Sequence, residues 1–320
     1  MAKIDVHHHI YPPGLTAALE ACGGDPSGWH TPSWTLEADN ALCSSIGIGT
    51  AIFSVTAPGA SILKDAEASA KLARQLNEYC AKIRDEDPSK YGFFVNVGSL
   101  LDTALCLEEI RYSFDVLQAD GIILFTRYGK GHHYLGHKDF KPIWAELNRR
   151  KAVVFVHPTH PVDTNLVNVH SPLPMYDYPH ETTRAAMDLI MANNLREFPD
   201  CKIVLSHAGG TLPYLIHRMT MVVDTPYRVD KTKDEIVEDA KRFYFDLALS
   251  GSHLVLDTLC KFAKPGHILF GSDFPNAPLA TIEYFTRVIE EHGFDAKTRA
   301  EIYHGAGVAL FPRLKGAYKS

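Results

Sequence analysis

A rhythm in the sequence most constrains what this chain can fold into. Short apolar, β-branched runs recur at 3–8, 49–55, 92–97, 121–125, 152–157, 202–207, 243–249 and 267–270. Longer segments lie between them, at 65–85, 101–117, 140–149, 181–198, 211–223 and 252–262, with apolar residues three and four apart. The first kind of run suits strands buried on both faces, and the second suits helices with one apolar face. Strands alternating with helices, without a linker or low-complexity stretch, predict a parallel sheet, and eight such units predict a closed (β/α)8 TIM barrel. Two further helical segments, 279–292 and 296–310, would close it. At about 150 residues per domain the 320-residue length would suggest two domains; the count of strands favours one, over 1–320. No GxGxxG opens the first helix, which argues against a dinucleotide-binding sheet.

Composition removes several classes of function. With 46% hydrophobic and 22% charged residues, the chain has the material for a packed core and is not a disordered protein. Its net charge is −6 and no basic block occurs, so nucleic acid is not an expected partner. No apolar run is long enough to cross a membrane, and the N-terminus lacks a signal-like pattern, so a soluble cytoplasmic protein is expected. Six cysteines lie far apart without a CxxC pair and read as reduced thiols.

Two segments exceed ordinary loop length. Residues 12–33, rich in Gly and Pro, follow the first strand, and 159–180, rich in Pro, follow the fifth. In a barrel both leave the C-terminal ends of strands, where active sites are built, so both are expected to wall or cover a pocket. Trp29, Tyr176 and Tyr178 within them and Trp34 at the end of the first are candidates to stack on a flat ligand.

Seventeen histidines are the one excess in composition, and their positions matter more than their number. His7 and His9 end the first strand, His157 the fifth and His207 the sixth, while Asp273 follows the eighth. All five therefore meet at one mouth of the barrel. Residues two apart share a strand face, so His7 and His9 point inward together and His8 points away. Neutral imidazoles and a carboxylate suit a divalent ion such as Zn²⁺, with Mn²⁺ or Mg²⁺ also compatible. His7, His9, His157 and Asp273 are the expected ligands.

This order of residues, with the phrases Ile4-Asp5-Val6-His7-His8-His9-Ile10, Val156-His157-Pro158, Glu181-Thr182-Thr183-Arg184, Leu205-Ser206-His207-Ala208-Gly209-Gly210 and Gly271-Ser272-Asp273-Phe274-Pro275, resembles the amidohydrolase superfamily. It is similar to the branch containing aminocarboxymuconate-semialdehyde decarboxylase and the o-hydroxybenzoate decarboxylases, and within that branch to the 6-methylsalicylate decarboxylases. The resemblance implies a homodimer or homotetramer acting on a small aromatic carboxylic acid. Two-metal members carry a lysine on the fourth strand, and 120–126 has none, so one ion is expected.

The implied reaction is non-oxidative decarboxylation, 6-methylsalicylate giving 3-methylphenol and carbon dioxide. It requires protonation of the ring carbon that bears the carboxylate, with an ortho oxygen pushing electron density into the ring. Asp273 is the candidate proton donor, and His207 the group that positions it or shuttles its proton. The alternative is a hydrolase in which Asp273 deprotonates a metal-bound water that attacks a lactone or amide, with His207 stabilising the oxyanion. A silent barrel serving as an interaction protein would require the cluster to be vestigial. Among the remaining polar residues, Glu181 is expected to open a helix and cap it. Arg127, Lys130, His132 and His133 are expected on a loop that shapes the mouth or meets a substrate carboxylate. Asp246 receives no role.

Overall fold

The computed structural model describes residues 1–227 and 229–318; of the domain expected over 1–320, Arg228, Lys319 and Ser320 lie outside the described residues. Eight parallel strands form one sheet in sequence order: β1 (Lys3–Ile10), β2 (Ile48–Val55), β3 (Tyr91–Val95), β4 (Gly121–Phe125), β5 (Val153–His157), β6 (Lys202–Leu205), β7 (Tyr244–Asp246) and β8 (Ile268–Leu269). The sheet closes on itself through backbone bonds between β1 and the segment after β8. Val6 N–H donates to Phe270 O (3.1 Å), Asp273 N–H to His7 O (2.8 Å) and His9 N–H to Phe274 O (2.6 Å). The expected (β/α)8 barrel is what forms.

Helices α1 (Pro13–Ala21) and α2 (Leu36–Ile46) follow β1, α3 (Ala66–Glu86) follows β2, α4 (Thr103–Asp115) follows β3 and α5 (Lys141–Arg149) follows β4. After β5 come α6 (Asp177–Met191) and α7 (Asn194–Glu197), after β6 α8 (Leu212–Met219) and α9 (Lys233–Ala240), and after β7 α10 (His253–Phe262). α11 (Leu279–Glu291), α12 (Ala296–Ala300) and α13 (Ala306–Leu310) complete the chain. None of the described helices is long and apolar enough to cross a membrane.

The strands are buried on both faces, as parallel strands under helices must be. Aromatic rings fill the barrel beneath its mouth: Phe311 packs on Phe94 (6.0 Å between centroids), Phe94 on Phe155 (5.5 Å), and Phe155 edge-on against His7 (4.9 Å). The cluster of histidines therefore rests on an apolar floor.

Two expected boundaries are corrected. Residues 12–33 are not irregular throughout, because α1 occupies 13–21. Pro13 starts it at a position where the missing N–H would have no acceptor, and Leu15 and Leu19, one turn apart, are buried. The irregular remainder turns on Gly23, Gly24 and Gly28, all at positive φ. Glu181 does not open its helix either. α6 begins at Asp177 and contains Pro179 in its first turn, where proline costs no hydrogen bond, so Glu181 sits in the second turn, buried and not capping.

Outside the barrel, one buried charge network ties β1 to its neighbours. Asp5 Oδ1 accepts from the backbone N–H groups of His7 and Ser272 (both 3.1 Å), and its Oδ2 accepts from His8 Nδ1 (2.9 Å). The other His8 nitrogen donates to Asp39 of α2 (2.7 Å). Against burial that would lower it, Asp39 and Asp5 push His8 up to about 10, so it carries its charge between them. His8 thus points away from the barrel interior, as the alternation requires.

Gly210, just past β6, has φ +63, and a Cβ there would overlap the carbonyl oxygen of Pro179 at the start of α6. Gly210→Ala is expected to lower the unfolding free energy by about 3 kcal/mol or more, read as a drop in the urea midpoint; a midpoint unchanged from wild type would refute this packing argument.

Candidate active site

The four expected donors converge. His7 Nε2 lies 3.1 Å from His9 Nε2, which lies 3.2 Å from His157 Nε2. Asp273 Oδ1 is 3.4 Å from His7 Nε2 and 3.3 Å from His9 Nε2. Donors about 2.1 Å from a common ion stand about 3.0 to 3.4 Å apart at right or tetrahedral angles, so the spacing fits a divalent metal. Three of the four side chains enter from β1 and β5. The fourth, Asp273, is brought in by the bonds that close the barrel.

The far side of each imidazole decides which nitrogen faces the centre. His7 Nδ1 meets Asp246 Oδ2 (3.0 Å), His9 Nδ1 meets Ser54 O (3.2 Å) directly across the β1–β2 pair, and His157 Nδ1 meets Pro158 O (2.7 Å). Carboxylate and carbonyl oxygens only accept, so every Nδ1 carries hydrogen and donates. Each Nε2 is thereby left to present a lone pair to an ion.

Electrostatics inside the cluster follow from burial and two carboxylates. Burial would lower His7, but Asp246 and Asp273 push it up to about 10, so in the chain alone His7 holds a proton between them. Burial holds His9 below the usual range, and burial with the imidazoles of His9 and His7 holds His157 well below it. Burial would raise Asp273; His7, His9 and His207 instead hold it well below the ordinary carboxylate range.

His207 lies beside the four donors and is not one of them. Its Nδ1 donates to Ala248 O (2.9 Å), and its Nε2 faces Asp273 Oδ2 at 4.0 Å. Burial, then His7, lowers it, so it is a neutral imidazole with a free lone pair. His207, Ala208, Leu249 and Asp273 all take positive φ without being glycine. Each such residue costs on the order of 1 kcal/mol, and such strain collects at functional sites.

Asp246, unassigned from its sequence context, is the residue that holds the arrangement. Fully buried at the end of β7, it orients His7 through Oδ2, while its Oδ1 accepts from the backbone N–H groups of His207 (3.2 Å) and Ala248 (2.9 Å). His7, His207 and Asp246 form a second grouping of potential ligands, but these bonds occupy the Asp246 oxygens. His8, Asp39 and Cys43 form a third grouping, already spent on the buried ion network.

Other expectations change. Arg127 does not project from a loop toward a substrate: it is buried, and its guanidinium donates to the carbonyls of His160, Gly129, Gly131 and Pro161, holding the segment after β5 in place. His133 and Lys130 lie on or beside the same short hairpin. Glu181 accepts from the Tyr134 hydroxyl through both oxygens (3.0 and 2.8 Å). Of the four aromatics, Tyr178 reaches the cluster, edge-on to His157 at 6.4 Å; Trp34 packs on Phe53 and Trp29 on His30.

The sequence matches the model of a protein family described as Amidohydrolase over residues 4–313. It is 56% identical over 317 residues to a 6-methylsalicylic acid decarboxylase of Penicillium expansum, covering 99% of this chain and 98% of that one. A 6-methylsalicylic acid decarboxylase of Aspergillus aculeatus is also 56% identical, over 98% of this chain and 97% of its own. Among solved structures, a dihydroxybenzoic acid decarboxylase from Polaromonas, with bound manganese and the inhibitor 2-nitroresorcinol, superposes with a TM-score of 0.84 at 19% identity over 97% of both chains.

Asp246→Asn removes the charge that orients His7 while keeping the side chain's shape. Metal affinity in a chelator competition should fall about 10- to 100-fold with an unchanged far-ultraviolet circular dichroism spectrum; an affinity equal to wild type would show that Asp246 does not set the His7 donor.

Proposed function

Because the chain belongs to the amidohydrolase family, we propose that His7, His9, His157 and Asp273 hold one divalent ion and that the protein's reaction takes place beside it. The protein is a carboxy-lyase, and the reaction is non-oxidative decarboxylation of an o-hydroxybenzoate. The proposed substrate is 6-methylsalicylate, giving 3-methylphenol and carbon dioxide. When bound, the ion supplies a Lewis-acidic anchor for the carboxylate and the ortho oxygen. Three imidazoles and a carboxylate suit Zn²⁺, while the Polaromonas structure holds manganese, so both ions belong in the test. We further propose that the barrel over 1–320 works as a homodimer or homotetramer, which sedimentation equilibrium checks.

The two oxygens of Asp273 differ. Oδ1 lies among the donors, and Oδ2 turns toward His207. The proton that the ring carbon needs is assigned to Oδ2. Since its neighbours hold Asp273 ionised, that proton arrives with the substrate: the ortho hydroxyl gives it to Oδ2, and Oδ2 passes it to the carbon bearing the carboxylate. The bond to the carboxylate carbon then breaks, its electron pair returns to the ring, and a phenolate and carbon dioxide leave. Atoms and charge balance without an oxidant. His207, neutral and with its free Nε2 facing Oδ2 at 4.0 Å, stands beside the transient Asp273 acid to position it or relay its proton. The observation that carries this reading is that pairing, a neutral imidazole facing the outward oxygen of a carboxylate that is also a donor.

Purified protein loaded with Zn²⁺ or Mn²⁺ should release carbon dioxide from 6-methylsalicylate, and a chelator should abolish turnover. Ring opening of lactones without carbon dioxide release from any o-hydroxybenzoate would sink the proposal in favour of the hydrolase. His7→Ala is expected to lose metal and turnover together. His207→Ala should keep the metal and lose turnover by about 100-fold or more, and full activity in that variant would remove His207 from the reaction.

A further inference from the structure

Asn276 follows Asp273 by three residues and sits where the ends of β1, β2 and β8 meet. The Tyr11 hydroxyl donates to its Oδ1 (2.6 Å), and its Nδ2 donates to Thr56 Oγ1 (3.0 Å) and to Asp273 Oδ1 (3.4 Å). The amide's orientation is not arbitrary. A carboxylate only accepts, so the edge turned to Asp273 must be the NH₂ group, which leaves the carbonyl edge for Tyr11. Tyr11 and Thr56 are both buried, and burial with the nearby Asp25 carboxylate raises Tyr11, so the phenol keeps its proton and remains a donor. Both polar atoms of the Asn276 side chain have partners.

We propose that Asn276 is a positioning residue for the decarboxylation: held by Tyr11 and Thr56, its amide fixes which carboxylate oxygen of Asp273 joins the donor cluster and which faces His207 and the substrate. The two oxygens of a carboxylate are chemically equal, and rotation about the last side-chain bond exchanges them. A donor on one side only breaks that equality. With Oδ1 engaged by Asn276, Oδ2 is left to carry the proton outward at a constant angle, which matters because a small error in aim costs rate even when binding is intact. The inference rests on the reading of Asp273 as the proton carrier.

Substitutions separate positioning from packing. Asn276→Asp has the same shape as the native residue but can only accept, and it places a second carboxylate against Asp273. If Asn276 merely fills space, Asp is the mildest replacement; if it donates to Asp273, Asp is worse than Ala. With metal-loaded protein and 6-methylsalicylate, Asn276→Ala should lower kcat about 10- to 100-fold with KM within about threefold of wild type, and Asn276→Asp should fall further. Tyr11→Phe should lose less than Asn276→Ala, and the double variant should be no slower than Asn276→Ala alone, since both act through one carboxylate. Because its bond to Asp273 is long (3.4 Å) and the carboxylate keeps its place without it, Asn276→Ala should lower Mn²⁺ affinity in a chelator competition by no more than about threefold, short of the loss of about tenfold or more expected for Asp246→Asn. Wild-type kcat in the Asn276 variants, an Asp variant faster than the Ala variant, or a rate loss that follows metal affinity would overturn the proposal. Asp273→Asn serves as the control: turnover retained in that variant at excess metal would overturn the reading of Asp273 itself, whereas its loss beside fully active Asn276 variants would overturn only the role given to Asn276.

Discussion

Three imidazole nitrogens and a carboxylate oxygen crowd together on an apolar floor, His9 within 3.1 to 3.3 Å of each of the others and all four within 4.8 Å of one another, and a polypeptide has every reason to avoid this. Lone pairs face lone pairs, water is excluded, and a buried polar group without a partner costs on the order of 1–3 kcal/mol. The cluster stands because each imidazole is fastened from behind. Asp246, Ser54 and Pro158 take the Nδ1 hydrogens of His7, His9 and His157. With those bonds made, the rings cannot turn to relieve the crowding, and the His7 proton offsets part of the remaining charge. The site is therefore built from the acceptors outward, and the nitrogens that face an ion are the ones left over.

The barrel makes this fastening possible by placing distant parts of the chain at one level. Asp5 shows how: one carboxylate accepts from the backbones of His7 and Ser272 and so locks together the first strand and the segment that delivers Asp273. The charge of Asp5 is matched by His8, and His8 is matched again by Asp39 on α2. Removing one member of such a buried set leaves the others uncompensated, which costs more than the intact set contributes. Backbone strain at His207 and Asp273 is held by the same means, since Asp246 accepts from His207 N–H and His7 O accepts from Asp273 N–H.

The legible part of this molecule was its periodicity. Alternation along β1 separates His7 and His9 from His8 without any knowledge of tertiary structure, and the strand rhythm places His157, His207 and Asp273 at the same end. What could not be read were contacts made by residues with no local pattern. Asp246 is a single acid in an apolar strand, and nothing near it in sequence points to His7, 239 residues away. Arg127 looked solvated because its four acceptors are backbone carbonyls, which leave no mark on residue identity. Proline misled twice in the same way. In α1 and α6 it occupies the first turn, where it does no harm, yet Pro13 and Pro179 read as loop, which hid α1 and placed the start of α6 too late.

The donor set by itself does not choose between hydrolysis and decarboxylation, because an ion held by His7, His9, His157 and Asp273 would serve either. The choice turns on the proton. A hydrolase asks Asp273 to be ionised and to take a proton from water; a decarboxylase asks it to be an acid when the ring carbon needs one. The imidazoles around Asp273 enforce the ionised form, which at first sight favours hydrolysis. An ortho hydroxyl removes the conflict, since a substrate that carries one brings to the site the proton Asp273 lacks, and on losing it gains the electron density that makes the ring carbon basic. On this account the hydroxyl is required as the source of the proton and of the electron push, and a benzoate lacking it would bind its carboxylate without reacting. The low setting of Asp273, which seemed an obstacle to acid catalysis, then acts as a selection rule for the substrate.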